Sequence, residues 1–304
     1  MVSAIRKIAT KPVWWWERKR SYRIRSQFDR LPPMTVHPAP RRFVVLTTLE
    51  AVNDSLWAAW SWYRYLREEG FELHLATDGE LPDAIASAAQ RLFPGISICN
   101  VGIALQLLGG DRPGLAAFFR HHPVAKQVGL VLALSSQGPV LYSDHDVIAF
   151  NRPHELLECV KRDIPCYFAD EGGGCHDPAL VERLNALGLE YEPALNAGFL
   201  YIPSRALSVD LAERILANWE PLPFSYFSPQ TVMSALMQNA NARPLPGDRY
   251  VISSRRQFYW EKDVDYSAIA ARHFTGTVRH VMYRYGLPAL LRQSKLWREE
   301  PENA

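Results

Sequence analysis

An α/β fold built on a sheet with helices on both faces is what this chain predicts, and two observations predict it. From Arg42 onward, short runs rich in Val, Leu and Phe alternate with longer amphipathic stretches. That alternation is the pattern of a parallel sheet covered by helices. The composition agrees: 304 residues, 48% hydrophobic and 22% charged, provide enough chain for a self-sufficient core.

Taken in order, Phe43-Val44-Val45-Leu46-Thr47-Thr48 reads as the first strand, 53–69 as a helix, Glu72 to Thr77 as a strand, 82–93 as a helix, and Ile96 to Val101 as a strand. A helical stretch over 115–135 leads into the strand that ends at Asp144. Beyond it come a strand at Cys166 to Ala169, a Gly-rich turn at 172–174, a helix near 178–187, the strand Asn196 to Ile202, and helices near 205–219 and 229–239. The aromatic stripe Trp57, Trp60, Trp62 and Tyr63 is read as core-facing. No internal repeat is visible.

Charge is unevenly spread. Residues 1–42 hold eleven Lys and Arg against Glu17 and Asp29, so the remainder is acidic on balance. Residues 1–40, with Trp14-Trp15-Trp16, Tyr22, Phe28 and a Pro-rich stretch to Pro40, read as an appendage and linker. Residues 281–304, with Tyr283, Arg284, Tyr285, Leu290, Leu291, Arg292, Lys295 and Trp297, read as a basic and aromatic tail. Both mixtures suit an anionic membrane surface, and both suit packing on the main domain, 41–280. Nucleic acid is not an expected partner, since no recognition fold accompanies the basic segment.

Cys99, Cys159, Cys166 and Cys175 are few and scattered, which reads as reduced thiols. No apolar run approaches the roughly 20 residues of a membrane span, and no apolar signal segment opens the chain. A cytoplasmic location, peripheral on the inner face of a membrane if the termini bind lipid, is the expectation.

The chemistry concentrates at Pro139 to Phe150, where an apolar run ends in Asp144-His145-Asp146. In extended backbone alternate side chains share a face, so the two carboxylates converge while His145 turns aside. Paired carboxylates suit a hard divalent ion, Mn²⁺ or Mg²⁺, bridging to substrate phosphate. Strand ends are where open α/β sheets bind ligands. Far downstream, His273-Phe274-Thr275-Gly276-Thr277-Val278-Arg279 supplies an imidazole ligand, a glycine that lets backbone approach phosphate, and a guanidinium that pairs with phosphate oxygens.

Together the two motifs resemble those of the family 8 glycosyltransferases, the glycogenin and lipopolysaccharide galactosyltransferase type, which carry Asp-x-Asp after a central strand and a late His-x-x-Gly-x-x-Lys. The resemblance covers residues 43 to 280. It implies a GT-A fold: a Rossmann-like mixed central sheet flanked by helices, in a single catalytic domain. It implies that Asp144, Asp146 and His273 hold Mn²⁺ (or Mg²⁺) on the diphosphate of a nucleotide sugar, a UDP-hexose, with Arg279 where Lys is usual.

The same resemblance makes Leu46, Thr47 and Thr48 contacts to the donor nucleoside, and Lys126 and Gly276 contacts to its phosphates. Asn196, Ala197 and Gly198 would lie under the transferred sugar. Asp170 and Gln230 would line its reacting face in positioning or ion-stabilising roles. The implied reaction is hexose transfer with retention to a glycan, a lipid-linked acceptor or a protein. Two positions depart from the family: Pro229 replaces the Asp of Asp-Gln, and Val251 replaces an Asn in the segment Leu245 to Val251.

Other readings of the same residues are a degenerate, membrane-associated or carbohydrate-binding scaffold, and a haloacid-dehalogenase-like phosphohydrolase with Asp144 as nucleophile. The second wants its Asp pair on the first strand, whereas about a hundred residues of α/β pattern precede Asp144. Cys175-His176-Asp177 has no partner pair at zinc-like spacing and reads as a loop.

Overall fold

Phe43, Val44 and Val45 are fully buried in β1 (Arg41–Thr47), as a strand covered on both faces requires. The structure, a computed structural model, describes residues 21–299 other than 22, 103–105, 107, 109–111, 123, 171, 218–224, 253–263 and 277, with backbone alone for 296–299. Trp14 to Trp16 and residues 300–304 lie outside the described residues, as does the side chain of Trp297.

β2 (Phe71–Thr77) and β4 (Val140–Asp144) flank β1 in parallel, and β3 (Ser97–Asn100) extends the sheet beyond β2. The full order is β3-β2-β1-β4, followed by β7 (Leu195–Ile202), β6 (Cys166–Ala169) and β8 (Arg243–Leu245). β7 runs antiparallel to β4 and to β6, while β8 is parallel to β6. The sheet is therefore mixed. An apolar pattern fixes burial rather than direction, and all eight residues of β7 are buried.

Residues of β1 alternate between two cores. Phe43 and Val45 share a core with α1 (Val52–Leu66), whereas Val44 belongs to the core on the other face, with α4 (Lys126–Ser135) and α8 (Ser228–Asn239). In α1, Trp57, Trp60 and Trp62 are fully buried, and each indole N–H finds a carbonyl: Arg25 O at 3.0 Å, Pro32 O at 2.9 Å and Val147 O at 3.0 Å. Trp62 also stacks on Phe199, their ring centroids 4.4 Å apart.

Among the described residues the other helices of eight residues or more are α2 (Asp83–Leu92), α3 (Pro113–His121), α5 (His154–Lys161), α6 (Pro178–Ala186), α7 (Val209–Leu216) and α9 (Leu287–Glu299). The helical stretch expected over 115–135 is two helices, because His122 is extended at φ −119° and ψ 107° and ends α3. His122 precedes a proline, which disfavours helical backbone there.

Residues 26–40 pack along the domain. Leu31, Met34 and Val36 are buried, and the amides of Met34 and Val36 donate to Leu92 O at 2.9 Å and Pro94 O at 2.7 Å. In the C-terminal segment Met282, Leu287 and Leu290 face the same core as α1. Among the described residues no helix is long and apolar enough to cross a membrane.

A second sheet, β5 (Val147–Ala149), β10 (Ala271–His273) and β9 (Tyr250–Val251), stands at the carboxyl end of β4. It brings the two distant motifs together.

Candidate metal and phosphate site

Asp144 is the last residue of β4 and lies opposite Leu46 of β1. The carboxylates do not converge by continuing one extended strand, as the alternation suggested: the chain turns at His145-Asp146 and departs into β5. Two hydrogen bonds pin this turn, from Phe274 N to Asp146 O at 2.8 Å and from Trp62 Nε1 to Val147 O at 3.0 Å. In the antiparallel β5–β10 ladder His273 is the partner of Val147, which sets its imidazole beside Asp146. The outcome is three ligand atoms, one each from Asp144, Asp146 and His273, all within 4.8 Å of one another.

The imidazole is oriented by its neighbours. Asn196 Oδ1 accepts from the Gly198 amide at 2.9 Å, which fixes the side-chain amide, and the same oxygen lies 2.9 Å from His273 Nδ1. Nδ1 therefore carries the proton and donates, leaving Nε2 for a ligand. That Nε2 sits 3.2 Å from Asp146 Oδ1, a buried oxygen without a hydrogen bond. The imidazole nitrogen and the carboxylate oxygen face each other as two ligands of one cation would, so this donor set fits a hard divalent ion.

Gly198 permits the approach. A Cβ at this position would lie 2.4 Å from His273 Cε1 and 2.9 Å from Nδ1, so a side chain on β7 would evict the ring.

The electrostatics divide the carboxylates. Burial first, and then the charge of Asp146, push Asp144 above the usual carboxylate range. Burial works against ionisation of Asp146 too, but His273, His145 and Arg279 outweigh it and hold that group far below the usual range. Burial opposes a proton on His273, yet Asp146 and Asp144 raise it. The field that draws a proton onto this imidazole also draws a metal ion.

Tyr142, two residues before Asp144 on the same strand face, donates its hydroxyl to Asp144 Oδ1 at 2.5 Å. The period-two rule that relates Asp144 to its neighbours would have found it. Arg279 Nη2 donates to Asp146 Oδ2, also at 2.5 Å.

The other predicted residues have partners of their own. Thr48, Gly276 and Arg279 line a cavity of about 620 Å³ that opens beside His145. Thr47 is buried, its hydroxyl donating to Thr48 O at 3.0 Å. Asn196 contacts His273, and Ala197 is held by Gln127 Nε2, which donates to its carbonyl at 2.5 Å.

Gln230 uses both ends of its amide, Nε2 donating to Cys175 O at 2.8 Å and Oε1 accepting from Ala197 N at 3.4 Å. Asp170 follows β6 and accepts from Gly172 N at 3.1 Å. Lys126 Nζ pairs with Asp78 Oδ1 at 2.5 Å, just past the end of β2. Asp177 caps α6 by accepting from Ala179 N at 3.0 Å and receives the Ser228 hydroxyl, which gives the Cys175-His176-Asp177 segment a structural explanation.

No protein-family model matches the sequence, and no curated protein matches it. Solved structures do. The chain is similar to the galactosyltransferase LgtC, solved with donor and acceptor sugar analogues: the TM-score is 0.51 at 15% identity, over 86% of this chain and 98% of that one. It is also similar to the bifunctional glycosyltransferase WbbM, with a TM-score of 0.52 at 12% identity, over 87% of this chain and 53% of that one. This chain thus corresponds to about half of WbbM. The mixed seven-stranded sheet flanked by helices is the GT-A glycosyltransferase fold.

Proposed function

We propose that this protein is a metal-dependent glycosyltransferase that moves a hexose from a nucleoside diphosphate sugar, a UDP-hexose, to a glycan, lipid-linked or protein acceptor with retention of configuration. The observation that carries the reading is the cluster of Asp144, Asp146 and His273 at the carboxyl end of β4, with Arg279 on one of its carboxylates and an open cavity beside it.

Asp144, Asp146 and His273 would hold the ion. When bound, a divalent cation such as Mn²⁺ or Mg²⁺ supplies neutralisation of the negative charge that builds on the β-phosphate as the sugar–phosphate bond breaks. Arg279 adds a planar cation for the same oxygens, and Lys126 a second from the start of α4. Gly276 lets backbone approach the phosphates. Leu46, Thr47 and Thr48 form the floor for the nucleoside. Asn196, Ala197 and Gly198 support the sugar and the ligating imidazole. Gln230, anchored at both ends of its amide, and Asp170 position the reacting sugar rather than attack it.

The reading places the protein in the cytoplasm with its basic segments toward the inner face of an anionic membrane. Its chemical test is a screen of nucleotide sugars with Mn²⁺, following release of each nucleoside diphosphate. Release from at least one donor, lost in Asp146→Ala and His273→Ala, is the expected result. Pro229, buried at the start of α8 where the resemblance calls for Asp, favours a second reading, a carbohydrate-binding scaffold. Donor binding without turnover would select it.

A further inference from the structure

The cavity beside the metal cluster has a wall that the resemblance does not account for. Asp54, in the first turn of α1, is only 2% exposed, and both of its oxygens are engaged. Oδ1 accepts from Arg25 Nε at 2.7 Å, and Oδ2 accepts from the Tyr283 hydroxyl at 2.8 Å. Arg25 belongs to the segment before β1, outside the predicted domain. It is built in, because its Nη2 donates to Glu50 O at 2.6 Å and its carbonyl receives the Trp57 indole at 3.0 Å. Arg25, Asp54, Tyr283 and Arg279 all line the same cavity.

A buried carboxylate beside a phosphate-binding pocket is a liability. Left uncompensated, Asp54 would repel an incoming phosphate and add a second anion, after Asp146, competing for the guanidinium of Arg279. The charge of Asp54 already acts on Arg279. Compensation has to come from a cation that donor binding does not displace, and the half-buried Arg25, paired with Asp54, supplies one.

Resting on the donor-site reading above, we infer that Arg25 is a positioning residue for the donor phosphates: by neutralising Asp54 from the N-terminal segment it leaves Arg279 and the cavity wall attractive to a nucleoside diphosphate. The effect is electrostatic, so it is reversed by removing the charge of Asp54 and is carried by charge rather than by hydrogen bonding.

Calorimetry with UDP, GDP, ADP and CDP in the presence of Mn²⁺ tests it on the full chain. Arg25→Gln, which keeps a donor toward Asp54 but no charge, weakens binding by about tenfold or more, the scale of unit charges about 10 Å apart at an effective dielectric of about 20. Arg25→Lys retains most of the affinity. Arg25→Gln combined with Asp54→Asn recovers it to within about threefold. Because the double variant buries no unpaired charge, it keeps the test readable if the single variant unfolds.

Wild-type affinity in Arg25→Gln, or a double variant that binds as weakly as the single one, overturns the inference. Absence of Mn²⁺-dependent binding of all four nucleotides by the wild type overturns the donor-site reading itself.

Discussion

Arg279 Nη2 donates to Asp146 Oδ2 at 2.5 Å, on the same carboxylate whose Oδ1 faces His273 Nε2 at 3.2 Å. Asp146 is thus shared between a ligand pair and the cation proposed to meet the donor phosphates. On the proposed reading, metal and phosphate binding would be coupled through it, because a cation drawn to Asp146 would compete with Arg279 and free the guanidinium for phosphate.

Arg279→Ala separates the two halves of that coupling. Losing one charge-assisted hydrogen-bonding group should weaken nucleoside diphosphate binding about 10- to 100-fold. Affinity for Mn²⁺ alone should hold or rise, since a competitor for Asp146 is gone. Parallel titrations of the metal and of the nucleotide measure both, and a metal affinity that falls with the nucleotide affinity contradicts the competition.

Asn196 acts through the imidazole. Asn196→Ala removes the acceptor that fixes the His273 tautomer and should lower Mn²⁺ affinity about 10- to 100-fold, the usual cost of losing such a support. Electron paramagnetic resonance of free Mn²⁺ gives the number. An unchanged affinity assigns Asn196 to the sugar alone.

Gly198→Ala tests the close approach of β7 to His273. Its Cβ would overlap the ring, so metal binding should fall sharply, with a stability cost of about 1–3 kcal/mol from overpacking. A thermal melt beside the metal titration separates the two. Wild-type behaviour in both means that the strands shift apart without consequence.

Cys159 offers a check away from the site. A hydrogen bond from the Cys166 thiol brings Cys159 down to about 7, helped by Arg243 and Arg162 and opposed by partial burial. Cys99 is pushed up by burial. Iodoacetamide should therefore label Cys159 with a rate that rises through about pH 7, while Cys99 lags; the reverse order of labelling refutes the arrangement.

Much of the fold was legible because its signals are local. The strand over Arg41–Thr47 and the tryptophan-rich helix over Val52–Leu66 follow from unbroken apolar runs and from a 3.6-residue stripe. The break at His122 was also legible, in the proline that follows it, but apolar periodicity runs straight across such a break.

In the site, Asp144, Asp146 and His273 stood out as residue types in a pattern, and the β5–β10 ladder unites them. Three features left no local trace. The direction of β7 is invisible in a strand buried on both faces, and the bond of Lys126 to Asp78 joins the start of α4 to the end of β2 across 48 positions. The pairing of Arg25 with Asp54 spans 29 positions between an apparent appendage and a core helix. Its charged members look like ordinary surface residues until the chain is folded.

The most direct test of the central claim is Mn²⁺-dependent binding of a nucleoside diphosphate to the wild type and to Asp146→Ala, with folding verified by circular dichroism. The account predicts saturable, metal-dependent binding in the first and its loss in the folded variant. Equal, metal-independent binding in both would contradict it.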